Sequence, residues 1–232
     1  MNLNLKSTCL YGIIKTNSEK KKIRFDDSNL FPKEMQFGVL LKRLKIYFGK
    51  NTEEHKTLLG FESTYINYIN GQKKDVEYKG ATKNEEDIEI KELIIEQNDY
   101  IKFFEFDFED YITYIKIISF KGKEIEFGER PEKVKVILDY EGDNMIQFFW
   151  GDYYDEYGIT AIGFKYTTRK KFIFGTIMPI LKLRYKLSHD EQFKKKYNDN
   201  YKELLKGNNS MIYLYKTCIL PDTCFSRIIK YC

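Results

Sequence analysis

Alanine is nearly absent from this 232-residue chain, occurring only at Ala81 and Ala161. It is the best helix former, so its scarcity removes the usual helical ingredient. Cysteine is sparse too: Cys9, Cys218, Cys224 and Cys232 are too few for a disulfide scaffold. Cys218 and Cys224 also stand too far apart for a CxxC redox pair. The two histidines, His55 and His189, have no ligand-type spacing to the cysteines, so no zinc site is expected, and no other metal or cofactor. Only six of the 39 cations are arginine, and 35 acids leave a net charge of +4. Few bidentate forks and a balanced charge argue against nucleic acid as a partner. No run approaches the ~18 uncharged apolar residues of a membrane span. The opening MNLNLKSTCLYGIIK lacks the charged start and long apolar core of a secretory signal. Free thiols in a reducing cytoplasm are therefore the expectation.

What the chain does contain is Ile, Tyr, Phe and Thr, in a composition 42% hydrophobic and 16% aromatic. That is too apolar for disorder, and these residue types suit a pleated, half-buried surface. Lys, Asn, Ile and Tyr also have A/T-rich codons, which points to a ciliate or similar protist and contributes to the bias. Alternation supports the β reading independently. Strand-like runs occupy 36–48, 58–69, 99–108, 111–120 and 133–140. Asn70-Gly71 after the second run is a strong short-hairpin signal, because both central positions need positive φ. MIQFFW follows a turn at 141–144, and 158–168 with 171–175 reads as a further hairpin around Arg169-Lys170. Ser188-His189-Asp190-Glu191 breaks the pattern as a capping box. Phe193, Tyr197, Tyr201, Leu204 and Leu205 then recur at helical spacing up to Gly207, which predicts a helix over 189–206. Residues 211–220 read as a returning strand.

One arrangement recurs: apolar, two others, apolar, one other, apolar. It appears at Leu41-Leu44-Ile46, Ile112-Ile115-Ile117 and Ile159-Ile162-Phe164. Leu59-Gly60-Phe61 and Ile162-Gly163-Phe164 form a related pair. Such recurrence predicts repeated β units around a shared core, and its irregular spacing excludes a solenoid.

In this order the segments resemble the jacalin-related lectin family over residues 23–176. Phe25-Asp26-Asp27 is similar to the family's aromatic-Asp-Asp lead-in, and Leu41 to Ile46 to the strand that follows. Leu59 to Tyr65 with Asn70-Gly71 resembles its next hairpin. Asp110 to Ile115 is similar to "EYI..V", and Ile159 to Thr168 with Phe172 to Gly175 resembles "I.SL.F.TN…GPFG". The resemblance implies a mainly β fold: a β-prism of three Greek-key sheets. It divides the chain into an N-terminal strand or lead-in (1–22), a prism domain (23–187) with an insertion at 129–150, and a C-terminal helix-plus-strand extension (188–232). The family's last sheet normally ends in "GFxGR…GxxxD…G", whose amides and carboxylate hold sugar hydroxyls. No such segment follows Gly175, so the terminal sugar loop is expected to be lost.

Gly151-Asp152-Tyr153-Tyr154-Asp155 is the most site-like stretch. It supplies a carboxylate for sugar hydroxyls, a glycine for close backbone approach and an aromatic face. Gly71 to Asp75 has the same spacing but sits in a hairpin. Asp152, Asp155 and Glu156 lack the EF-hand pattern for calcium. Trp150 and Tyr157, with Phe193, Tyr197 and Tyr201 on the predicted helix, are the candidate protein-contact residues, since Trp and Tyr dominate binding hot spots. No nucleophile elbow, phosphate loop or zincin helix occurs, so the chain does not read as an enzyme. The expectation is a cytoplasmic, non-catalytic jacalin-like module. It would act as a structural or interaction subunit of a larger assembly, cytoskeletal, ciliary or organellar. Carbohydrate binding through 151–155 is the alternative.

Overall fold

A computed structural model describes residues 5–12, 21–68, 71–81, 87–96, 99–139, 144–168, 171–172, 189–192 and 195. Its strands are β1 (Lys6–Ser7), β2 (Tyr11–Gly12), β3 (Ile23–Asp26), β4 (Val39–Lys50), β5 (Lys56–Asn67), β6 (Lys73–Gly80) and β7 (Glu89–Ile94). They continue as β8 (Ile101–Phe108), β9 (Ile112–Ser119), β10 (Glu124–Phe127), β11 (Val136–Asp139), β12 (Asn144–Tyr154) and β13 (Gly158–Thr168). All pair antiparallel.

The strands form three sheets. The second runs β6-β5-β4-β7 and the third β10-β9-β8-β11. Each is a Greek key: three hairpin-linked strands, with a fourth returning beside the first. The first sheet runs β1-β13-β12-β3, with β2 also on β13. Residues near the chain start thus complete a sheet whose central hairpin comes 130 or so positions later, a long-range closure typical of slow-folding β topologies.

The recurring apolar spacing has a mechanical cause. A plain strand turns inward every second residue, so an inward pair three apart needs one extra residue. Bulges supply it. On the first strand of each hairpin the unpaired residue is Lys42, Lys102 or Gln147. On the second strand it is Leu59, Thr113 or Thr160. Each bulge keeps its flanking apolar pair pointing inward: Leu41 and Leu44, Ile101 and Phe104, Ile146 and Phe149 on the first strands. Leu58 and Phe61, Ile112 and Ile115, Ile159 and Ile162 do so on the second. All belong to one continuous core. The three-residue inward step therefore occurs at six places, and four of them carry the full apolar spacing: Ile101-Phe104-Phe106 joins the three that the sequence pattern picks out. That pattern also mismatches its three: Leu41 to Ile46 lies on a first strand, whereas the counterpart of Ile112 and Ile159 is Leu58.

Three glycines close the bulges. Gly12, Gly80 and Gly128 have φ of 119°, 149° and 77°. A Cβ on them would stand 2.2, 2.0 and 2.1 Å from the carbonyl oxygens of Thr160, Leu59 and Thr113. The same backbone contact thus repeats in each sheet, which establishes pseudo-threefold symmetry independently of the side chains.

At the centre, side chains from all three sheets, among them Leu44, Phe61, Phe104, Ile117 and Ile162, surround a void of about 10 Å³. It has no room for a ligand. Phe104 touches Phe149 and Phe164 at ring distances of 6.3 and 4.5 Å. Phe104→Ala is expected to cost ~3–5 kcal/mol, read as a lowered urea midpoint with unchanged slope.

Several expectations need correction. The stretch 129–150 is no insertion: it holds β11, the fourth strand of the third sheet, and most of β12, which lies in the first. Residues 158–168 pair with β12 through a turn at Tyr154–Gly158; of the expected partner 171–175 only Lys171 and Phe172 are described, and they have helical backbone. The expected N-terminal strand or lead-in at 1–22 is not among these corrections: it supplies β1 and β2, both on β13 of the first sheet. Of the 188–232 extension only 189–192 and 195 are described; His189, Glu191, Gln192 and Lys195 have helical backbone, and the strand expected at 211–220 lies outside the described residues. The segment after Gly175, where the terminal sugar loop is expected to be lost, also lies outside the described residues. Among the described residues the last hairpin is β12–β13, and it carries Gly151 to Asp155.

Candidate functional site

The three central hairpins turn at the same end of the prism. Each turn has a local sequence reason. Asn51 accepts the N–H groups of Glu53 and His55 through Oδ1, both at 3.0 Å, folding the β4–β5 turn around its amide. Glu109 donates to the Tyr111 carbonyl at 3.1 Å in the β8–β9 turn. Tyr157 donates to the Tyr154 carbonyl at 3.2 Å in the β12–β13 turn.

Contacts then join the turns. The Thr52 N–H and hydroxyl both donate to the Glu156 carbonyl, at 3.3 and 3.1 Å. The Tyr111 hydroxyl donates to the Glu53 carboxylate. His55 stacks on Tyr111 at 5.5 Å, Tyr111 meets Tyr157 at 5.7 Å, and Tyr157 meets Tyr154 at 5.9 Å. The three tyrosines form a small buried cluster of their own. Around it Glu53, Glu54, Glu109, Asp110, Asp155 and Glu156 stand exposed. This end is thus an aromatic plug with an acidic rim, assembled from all three sheets. The Tyr111 phenol is pushed well up, first by burial and then by its hydrogen bond to Glu53.

Of the residues singled out in the sequence, few are open to a ligand. Gly151 lies within β12, where a Cβ would stand 2.2 Å from the Ala161 carbonyl and 3.0 Å from the Phe25 ring. Asp152 is 1% exposed, and its carboxylate accepts Arg24 Nε at 2.9 Å and Nη2 at 3.3 Å, with Lys22 at 3.7 Å. Tyr153 is half-buried against Phe25 at 6.3 Å, and burial raises its phenol. Tyr154 is in the tyrosine plug. Only Asp155 projects from the turn, beside Glu156. The stretch reads as a loop because its Gly and two Asp favour turns, yet its first four residues continue β12.

Among the protein-contact residues, Trp150 lies over Gly163, where any Cβ would meet its indole, and its Nε1 has no hydrogen-bond partner. Tyr157 is buried in the plug. Phe193, Tyr197 and Tyr201 lie outside the described residues. Asp26 and Asp27 are structural: Asp26 accepts Ser28 N–H at 3.1 Å and Lys165 at 2.6 Å, and Asp27 is fully buried. The residues missed were Glu53, His55, Glu109, Asp110 and Tyr111. Their local signal is only that of polar turns; what unites them is the prism. Among the described residues no cluster of His, Cys, Asp and Glu is arranged to hold a metal. No helix there is long and apolar enough to cross a membrane.

Buried phenols give this fold a marked response to base. Burial raises Tyr11 and Tyr114 to about 12, with help from Cys9 and Glu126 respectively. A phenol whose folded value exceeds its unfolded value stabilises the fold below the unfolded value and loses that contribution as pH rises. Stability is therefore expected to fall between pH 10 and about 12, the window set by these two shifts, followed by circular dichroism with tyrosinate absorbance. Ionisation of every phenol near pH 10 with the fold intact would contradict it.

No protein-family model matches the chain, and no curated protein sequence matches it. Solved structures do. Malaysian banana lectin superposes with a TM-score of 0.50 at 17% identity, over 71% of this chain and 99% of the lectin. Artocarpin, in its mannotriose complex, gives 0.50 at 11% identity over 71% and 98%. The mannose-binding lectin from Champedak gives 0.50 at 12% identity over 72% and 99%. At such identities the likeness concerns architecture. The three sheets of this chain form the β-prism of the jacalin-related lectins.

Proposed function

We propose that this chain is a non-catalytic binding module, a jacalin-like prism serving as a structural or protein-interaction subunit of a larger assembly. We place that assembly in the cytoplasm, associated with cytoskeleton or cilium. The observation that carries the reading is the internal use of the groups a sugar site at 151–155 would need. Asp152 is held by Arg24 and Lys22, Gly151 is covered by Phe25, and Tyr154 is in the plug. Exposed Ile90, Ile94 and Ile137 on the second and third sheets, with Phe120 in the β9–β10 turn, add apolar surface that suits a protein partner. The test is the native size of the full chain from its source cells. A complex of fixed stoichiometry is expected; a free monomer would overturn the proposal.

A second reading is carbohydrate binding at the hairpin end through Asp155. It is favoured by its exposed carboxylate beside half-buried Tyr153, and by a fold shared with a lectin solved with mannotriose. Calorimetry with mannotriose, and a glycan array, separate the two. The first reading predicts no saturable sugar binding at millimolar concentration. Binding that is abolished by Asp155→Ala, with thermal stability unchanged, would establish the second.

A further inference from the structure

We draw no further inference here: the strongest candidate, the exposed apolar strip of Ile90, Ile94 and Phe120 where β7 meets the β9–β10 hairpin, carries nothing because nothing in the structure shows what covers it.

Discussion

Gly80→Ala, Gly128→Ala and Gly12→Ala are each expected to destabilise the prism by on the order of 3 kcal/mol. Two effects combine at these sites. The positive φ strains any side chain, and the new Cβ would stand 2.0 to 2.2 Å from a backbone carbonyl, which cannot swing aside as a flexible side chain can. Gly71 and Gly122 provide the control, since both have positive φ but a Cβ there meets nothing within 4 Å. Their alanine variants should lose only the conformational part, about 1–2 kcal/mol. Chemical denaturation of the five variants checks the ordering. Equal losses in both groups would mean that the bulge contacts do not close the sheets.

How much of this was legible beforehand follows from the same bulges. Leu41-Leu44-Ile46 and Ile159-Ile162-Phe164 show the three-then-two spacing because every inward position is apolar. The Leu58 and Ile146 segments are hidden because Ser63 and Gly151 occupy the third position. The fold class was readable because burial constrains residue type strongly at each of these positions. The site was not. Asp152 and Asp155 look alike in sequence, yet one faces Arg24 across the β3–β12 pairing and the other projects from a turn. Nor does any local signal tell that Glu53 and Tyr111, 58 positions apart, share a hydrogen bond. The run at 133–140 already reads as a strand, but nothing local shows that β11 returns to pair with β8, so the stretch 129–150 looks like an addition between units.

Asp27→Ala is expected to cost about 3 kcal/mol, the second large effect. The carboxylate is fully buried and accepts Tyr65 at 2.6 Å, Ser63 at 3.2 Å and the ammonium of Lys79. It anchors the turn after β3 to the second sheet, while Asp26 ties the same turn to Lys165 of the first. The Tyr65 phenol is raised well above its usual value by burial and then by the Asp27 charge. Removing Asp27 leaves two buried hydroxyls and one ammonium without their acceptor. Lys79 keeps 19% exposure and can turn to water, which sets the loss at the lower end for a broken buried pair. Lys79→Met alone leaves the carboxylate stranded, so it too should destabilise. The pair Asp27→Leu with Lys79→Met should recover part of the loss, because apolar packing replaces a desolvated ion pair. A double-mutant cycle with zero coupling would show that Asp27 and Lys79 do not interact in solution.

The most direct measurement is a methyl NOE spectrum of the full chain. Leu44 and Ile46 from the second sheet, Ile115 and Ile117 from the third and Ile162 from the first line one central void. Cross-peaks linking methyls of all three groups are predicted. Contacts confined within each group, with none between them, would contradict a single shared interior and the prism with it.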